Sequence, residues 1–138
     1  SVSLGGMATW MRMQAQEELF HGIKMYDFVH GRGGKVVLEA IAKPAGKWKS
    51  PLAVFEAVLQ HEQKVTGLIN DLANLALDER DHATNIFLQW FVTEQVEEEA
   101  SASTVVNKLK LIGNDANGLF VLDRELGLRV FTPPATGQ

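Results

Sequence analysis

The sequence predicts an all-α domain, a bundle of long helices followed by one short one. Two observations carry this: three long segments repeat apolar residues in alternating steps of three and four, and Gly, Ser-Pro and Asp punctuation stands at their ends. A third is size. The 138 residues are enough for one hydrophobic core and too few for two, so residues 1–138 are expected to form a single domain. With 46% hydrophobic and 22% charged residues, the composition excludes wholesale disorder and a collagen-like fibre.

The first segment, α1, spans about residues 5–30 and runs into His30-Gly31-Arg32-Gly33-Gly34, a glycine cluster suited to a left-handed cap. The second, α2, covers about 51–77, with Ser50 as N-cap and Pro51 at the first helical position. The third, α3, covers about 81–112; Asp81 can cap it and Gly113-Asn114 stops it. A short α4, about 117–127, carries Leu119, Phe120, Leu122 and Leu126 before Gly127, and the tail with Pro133-Pro134 reads as irregular. Only about four residues, Asp78 to Arg80 and the cap, separate α2 from α3, which makes them an antiparallel hairpin. Between α1 and α2 lie about 18 residues, Gly33 to Ser50, with a short extended-looking run at Lys35-Val36-Val37-Leu38. A helix of about 27 residues is roughly 40 Å long, and about 18 extended residues reach more than 50 Å. The connection can therefore run the length of a bundle and leave α1 and α2 parallel.

Charge and cysteine content narrow the function. The 17 acidic and 13 basic residues give a net charge of -4, which argues against a nonspecific nucleic-acid binder. Zero cysteines exclude disulfides, thiolate zinc sites, cysteine-ligated clusters and a cysteine nucleophile, so any metal must be held by Glu, Asp, His or Gln. No uncharged apolar run approaches the roughly 18–20 residues of a membrane-spanning helix, and no signal-peptide pattern opens the chain. A cytoplasmic location is expected. The chain opens Ser1-Val2-Ser3-Leu4 without an initiator Met, as a processed or truncated chain would.

The informative residues are polar ones in apolar seams. The α3 seam reads Leu88, Phe91, Gln95, Glu98, Ala102, Val105, Leu109, Ile112; the α2 seam reads Leu52, Phe55, Leu59, Glu62, Thr66, Ile69, Ala73, Ala76. The α1 seam reads Met7, Met11, Gln14, Glu18, His21, Met25, Phe28. Glu18, His21, Glu62, Gln95 and Glu98 lie near their helix midpoints, so flush packing brings them to one height. A buried carboxylate costs several kcal/mol unless compensated, and divalent cations would compensate these. Carboxylates with one imidazole suit iron or manganese and do not exclude zinc; redox-active iron is the preferred reading. The competing reading is that the seams are misplaced and these residues face water. Glu17, Glu94, Glu97, Glu98 and Glu99 can likewise form a solvated acidic face, the reading preferred for Glu99. His30, His61 and His82 read as surface or capping residues, Met7, Met11, Met13 and Met25 as core filler, and Trp10, Trp48 and Trp90 as packing or interface residues.

At these residues the sequence resembles the non-haem bacterial ferritins. Gln14-Ala15-Gln16-Glu17-Glu18-Leu19-Phe20-His21 is similar to the family's second-helix metal motif, and His61-Glu62-Gln63 with Val65-Thr66 to its third-helix motif. Phe87 to Glu99, FLQWFVTEQVEEE, is similar to the fourth-helix signature. The resemblance reaches from the start of the chain to about Leu128. It implies a ferritin-like four-helix bundle with a long B–C crossover, in which α1 to α3 are helices B to D and α4 is the short C-terminal helix E. Helix A, with the further Glu it gives the first iron site, has no residues here, so the expectation is either that this sequence lacks about 30 residues of a longer protein or that the protein is a true truncation whose exposed seam another chain covers.

Carried over residue by residue, the resemblance implies that Glu18 bridges the two irons of a ferroxidase centre and His21 ligates the first. Glu62 and Glu98 would bind the second, with Gln95 beside it where oxygen is reduced. A third iron site would use Glu17, Glu94 and Glu97, with Glu98 shared. Bacterioferritins repeat Glu-x-x-His where this chain has Gln95-Val96-Glu97-Glu98, and carry a haem-ligating Met where it has Leu19, so haem is not expected. Rubrerythrins add a cysteine-rich module that is absent here, and miniferritins build their iron site between subunits. The implied function is iron storage and detoxification: ferrous iron is oxidised by oxygen or peroxide and stored as ferric mineral in a homo-oligomeric cage of about 24 subunits, the acidic balance helping to draw cations. The alternative is a catalytically impaired assembly subunit that forms helical oligomers, because the first iron site would be short of a ligand.

Overall fold

The computed structural model describes residues 3–132. Among them are four helices and no strand: α1 Gly5–Gly31, α2 Pro51–Asp78, α3 His82–Ile112 and α4 Ala116–Leu126. Backbone contacts divide them into two compact units. One holds residues 3–44 and 114–132, with α1 and α4; the other holds Ala45–Gly113, with α2 and α3.

In the second unit, α2 begins as its sequence requires. Ser50 is extended and its Oγ accepts from the Ala53 amide at 3.1 Å, while Pro51, which has no amide hydrogen to leave unsatisfied, occupies the first turn. The turn into α3 is tight. Asp81 N donates to Ala76 O at 2.8 Å and Arg80 N to Leu77 O at 3.0 Å, a Schellman closure that puts Arg80 at φ 55°. Asp81 then caps α3, its carboxylate accepting from Thr84 N and Thr84 Oγ1. The helices run antiparallel, pairing Glu56 with Lys110 near one end and Glu62 with Gln95 near the middle. Phe55, Ile69 and Ala76 of α2 and Leu88, Phe91, Ala102, Val105, Val106 and Leu109 of α3 are buried. The expected α3 seam is thus buried from Leu88 to Leu109, and only its last member, Ile112, is half-buried.

In the first unit, α1 ends as the glycine cluster predicts. Gly33 lies at φ 76°, Gly33 N donates to His30 O, and Gly34 N reaches back to Val29 O at 2.8 Å. The helix start is less local, because Leu4 supplies no side-chain cap. Instead the Asp123 carboxylate, on α4, accepts from the Gly6 and Met7 amides at 3.1 and 2.9 Å. Gly6 permits this approach: a Cβ there would lie 1.6 Å from the Asp123 carbonyl oxygen. The segment after α4 runs along α1 in the same direction, with Arg129 against Trp10 and Glu17 and Phe131 facing Phe20.

The run Lys35-Val36-Val37-Leu38 lies in the connection between α1 and α2, joins no strand and is largely exposed. One local expectation differs from the structure: α4 starts one residue earlier than expected, at Ala116, because Asp115 caps it by accepting from Asn117 N and Gly118 N. The tail residues Pro133-Pro134 lie outside the described residues.

Candidate metal centre

The ligand candidates fall into two groups, one in each unit. In the first, Gln14, Glu18 and His21 follow one another along one face of α1, where residues three and four apart are neighbours. Gln14 Nε2 donates to Glu18 Oε1 at 3.0 Å, and His21 Nδ1 stands 3.5 Å from Glu18 Oε2. His21 is buried, while the Glu18 side chain is 43% exposed. Two ligands of one cation, bound at about 2.1 Å and at right angles, lie about 3 Å apart. The imidazole and carboxylate are therefore spaced to grip a single ion with little movement, and Gln14 fixes the carboxylate's other oxygen.

In the second unit Glu62, Gln95 and Glu98 are 3%, 4% and 6% exposed. They are the polar members of seams otherwise filled by Phe55, Ile69, Leu88, Phe91 and Ala102. The reading in which these three face water is therefore wrong. Gln95 Nε2 donates to the Glu62 main-chain carbonyl at 3.2 Å and to Thr66 Oγ1 at 3.3 Å, and stands 3.5 Å from Glu62 Oε2. Thr66 Oγ1 in turn donates to Glu99 Oε1 at 2.5 Å. A hydroxyl has one hydrogen. With that hydrogen given to Glu99, the Thr66 oxygen can only accept from Gln95, and the Glu62 carbonyl can only accept as well. Both constraints orient the Gln95 amide with nitrogen toward α2, so its oxygen is the atom it can offer a hard cation.

This network corrects the reading of Glu99 as a solvated surface residue: it is half-buried and tied to Thr66. The sequence places Thr66 on the α2 seam and signals no role for it. Of the residues of the expected third iron site, Glu94 is half-buried, Glu97 is exposed, and Glu17 is ion-paired to Arg129. No periodicity points to Arg129, a lone cation beyond the last helix. The remaining histidines lie at the surface: His30 packs on Tyr26 with ring centroids 4.5 Å apart, and His61 and His82 are exposed. Met7 and Trp10 are buried, Met11, Met13, Met25 and Trp90 half-buried, and Trp48 exposed. Among the described residues no helix is long and apolar enough to cross a membrane.

A family model for the ferritin-like domain matches residues 1–112. The chain belongs to the ferritin-like family. It is 41% identical over 129 residues to a bacterial non-heme ferritin of Staphylococcus aureus, covering 94% of this chain and 78% of that one. The corresponding protein of Staphylococcus saprophyticus is 43% identical over the same share of this chain and 77% of its own. Among solved structures, a closed form of the Archaeoglobus fulgidus ferritin engineered by site-directed mutagenesis superposes with a TM-score of 0.93 at 56% identity, over 95% of this chain and 80% of that one. The open-pore ferritin from the same hyperthermophilic archaeon superposes at 0.92 with 54% identity, over 94% and 80%. The fold is thus the all-α ferritin four-helix-bundle fold with a short C-terminal helix, here α4. Ferritin membership brings with it iron storage as the family's general function.

Proposed function

We propose that this chain is a ferroxidase and iron-storage subunit whose two ligand groups hold ferrous iron together. Glu18 bridges two ions, His21 binds the first, and Glu62 and Glu98 bind the second with the Gln95 oxygen beside it. Two ferrous ions give up one electron each, and together reduce oxygen to peroxide, or peroxide to water. Glu17, Glu94 and Glu97, with Glu98 shared, form a third site through which ferric product passes toward mineral in a homo-oligomeric cage in the cytoplasm. The protein contributes placement and charge. Hard carboxylate oxygens tolerate both oxidation states and can shift between bridging and terminal binding.

The observation that carries this reading is the burial of two carboxylates and a carboxamide, Glu62, Glu98 and Gln95, midway along apolar seams of a ferritin chain. Removing a carboxylate from water is unfavourable by several kcal/mol, and a divalent ion offsets that cost as it binds. The test is stepwise addition of ferrous iron to the protein in air, following ferric absorbance. A fast phase that saturates once each chain has received the pair of ions of one centre is expected. Oxidation no faster than in buffer overturns the proposal and leaves an assembly subunit that keeps the ligand pattern without the activity.

A further inference from the structure

One ion pair in the first unit is not explained by the iron chemistry proposed above. Arg129, three residues beyond the end of α4, donates from Nη2 to Glu17 Oε2. Its guanidinium carbon lies 4.3 Å from the centroid of the Trp10 ring, two turns earlier on α1. The side chains of Arg129 and Glu17 are 19% and 18% exposed, and Trp10 is buried. Both ends of the connection are fixed: Asp123 holds α4 to the first turn of α1, and Arg129 N donates to Leu126 O at 3.3 Å. The guanidinium is thus delivered to Glu17 by anchored backbone. A planar cation stacked on an indole and paired with a carboxylate in restricted water is held more firmly than an exposed surface pair.

The structure assigns Arg129 as the resident cation of Glu17, a competitor that a metal ion must displace before this carboxylate can act as a ligand. The inference deepens the third-site reading above and rests on it for the role of the incoming ion. An incoming ion seeks the same carboxylate oxygen that the guanidinium holds. The arginine side chain must withdraw. At equal distance a divalent cation attracts the carboxylate about twice as strongly as the guanidinium does, which makes exchange possible once an ion arrives. Glu18, the next residue, is engaged by Gln14 and His21 instead. Ions binding through Glu18 therefore do not meet Arg129, and only an ion seeking Glu17 does. Arg129 sets an order of filling in which the Glu18 set loads first and Glu17 last.

The experiment is a terbium(III) titration of the assembled protein, read by equilibrium dialysis and by tryptophan-sensitised luminescence, with helicity checked by circular dichroism. R129M, which keeps apolar contact with Trp10 and removes the charge, is expected to bind terbium at one more site per chain, or at that site about 10-fold more tightly, with emission sensitised through Trp10. The double variant R129M/E17Q is expected to return to wild-type binding. R129K, which keeps a cation without the stacked plane, is expected to fall between wild type and R129M, and it decides the question if R129M does not fold. Binding by R129M indistinguishable from wild type, a gain that survives E17Q, or R129K matching R129M would each overturn the inference; should R129M not fold, wild-type binding by R129K does so. Failure of the iron-centre reading looks different: ferrous oxidation would persist in E18A and E62A while the terbium result at Glu17 stood.

Discussion

Glu62 and Gln95 meet across the α2–α3 interface through a main-chain carbonyl and a side-chain amide, with Thr66 and Glu99 behind them. The role of Thr66 is to accept. Replacing it by Val removes that acceptor and disconnects Glu99, so the Gln95 amide loses one hydrogen bond, worth about 1 kcal/mol. T66V is expected to bind zinc(II) about 5-fold more weakly by calorimetry, with T66S near wild type; equal affinity for T66V and wild type would show that Thr66 does not orient the amide. At the ligands themselves the expectation is larger. E18A and E98A are each expected to reduce ferrous oxidation to the rate in buffer, and a wild-type rate in either would remove that residue from the centre. The ligand candidates were legible in the sequence because a carboxylate within an apolar seam breaks a strict period. Glu99 and Arg129 were not. An acidic residue beside three others resembles a solvated face, and a pairing between Glu17 and Arg129 across 112 positions leaves no local pattern.

At the scale of elements, the caps that neighbouring residues announce in the sequence are local in the structure. Ser50-Pro51, Asp81 and the Gly33-Gly34 cluster each act within a few residues of themselves. The cap that escaped is the one α1 borrows from Asp123 on α4, because no arrangement of nearby residues announces a partner so far along the chain. Two predictions follow from these ends. Gly6→Ala places a methyl group against the Asp123 main chain, and is expected to cost about 1–3 kcal/mol, read as a lower unfolding midpoint. Stability unchanged from wild type would show that α4 does not depend on this close approach. At the other turn, Arg80 holds φ 55°, a conformation disfavoured for a side chain by about 1–2 kcal/mol and natural to glycine. Arg80→Gly relieves that cost but loses chain entropy, so a net gain of about 0.5–1 kcal/mol is expected in denaturant unfolding. A loss would mean that the arginine side chain makes compensating contacts.

Among the described residues of the whole molecule, α1 and α2 each carry an apolar stripe in contact with water, and these bear on assembly. On α1, Leu19, Ile23 and Tyr26 are exposed at successive steps of four and three; on α2, Leu68, Leu72 and Leu75 repeat the same spacing. Isolated exposed apolar residues are ordinary, but a helical face that repeats them over two turns is a candidate subunit contact. The hydrophobic gain is about 25 cal/mol per Å² of apolar surface removed from water, and closed symmetry multiplies one such contact over every subunit. Placing charge on the stripe should therefore penalise assembly without penalising the separate chain, whose α2–α3 core of Phe55, Ile69, Phe91 and Val105 lies on other faces. The double variant Leu68→Lys/Leu72→Lys is expected to shift sedimentation velocity profiles toward small species while retaining wild-type helicity. If the variant sediments as wild type does, the α2 stripe lies outside the subunit contacts. If helicity is lost with assembly, the stripe supports the fold of the subunit itself and the separation of core from contact surface fails.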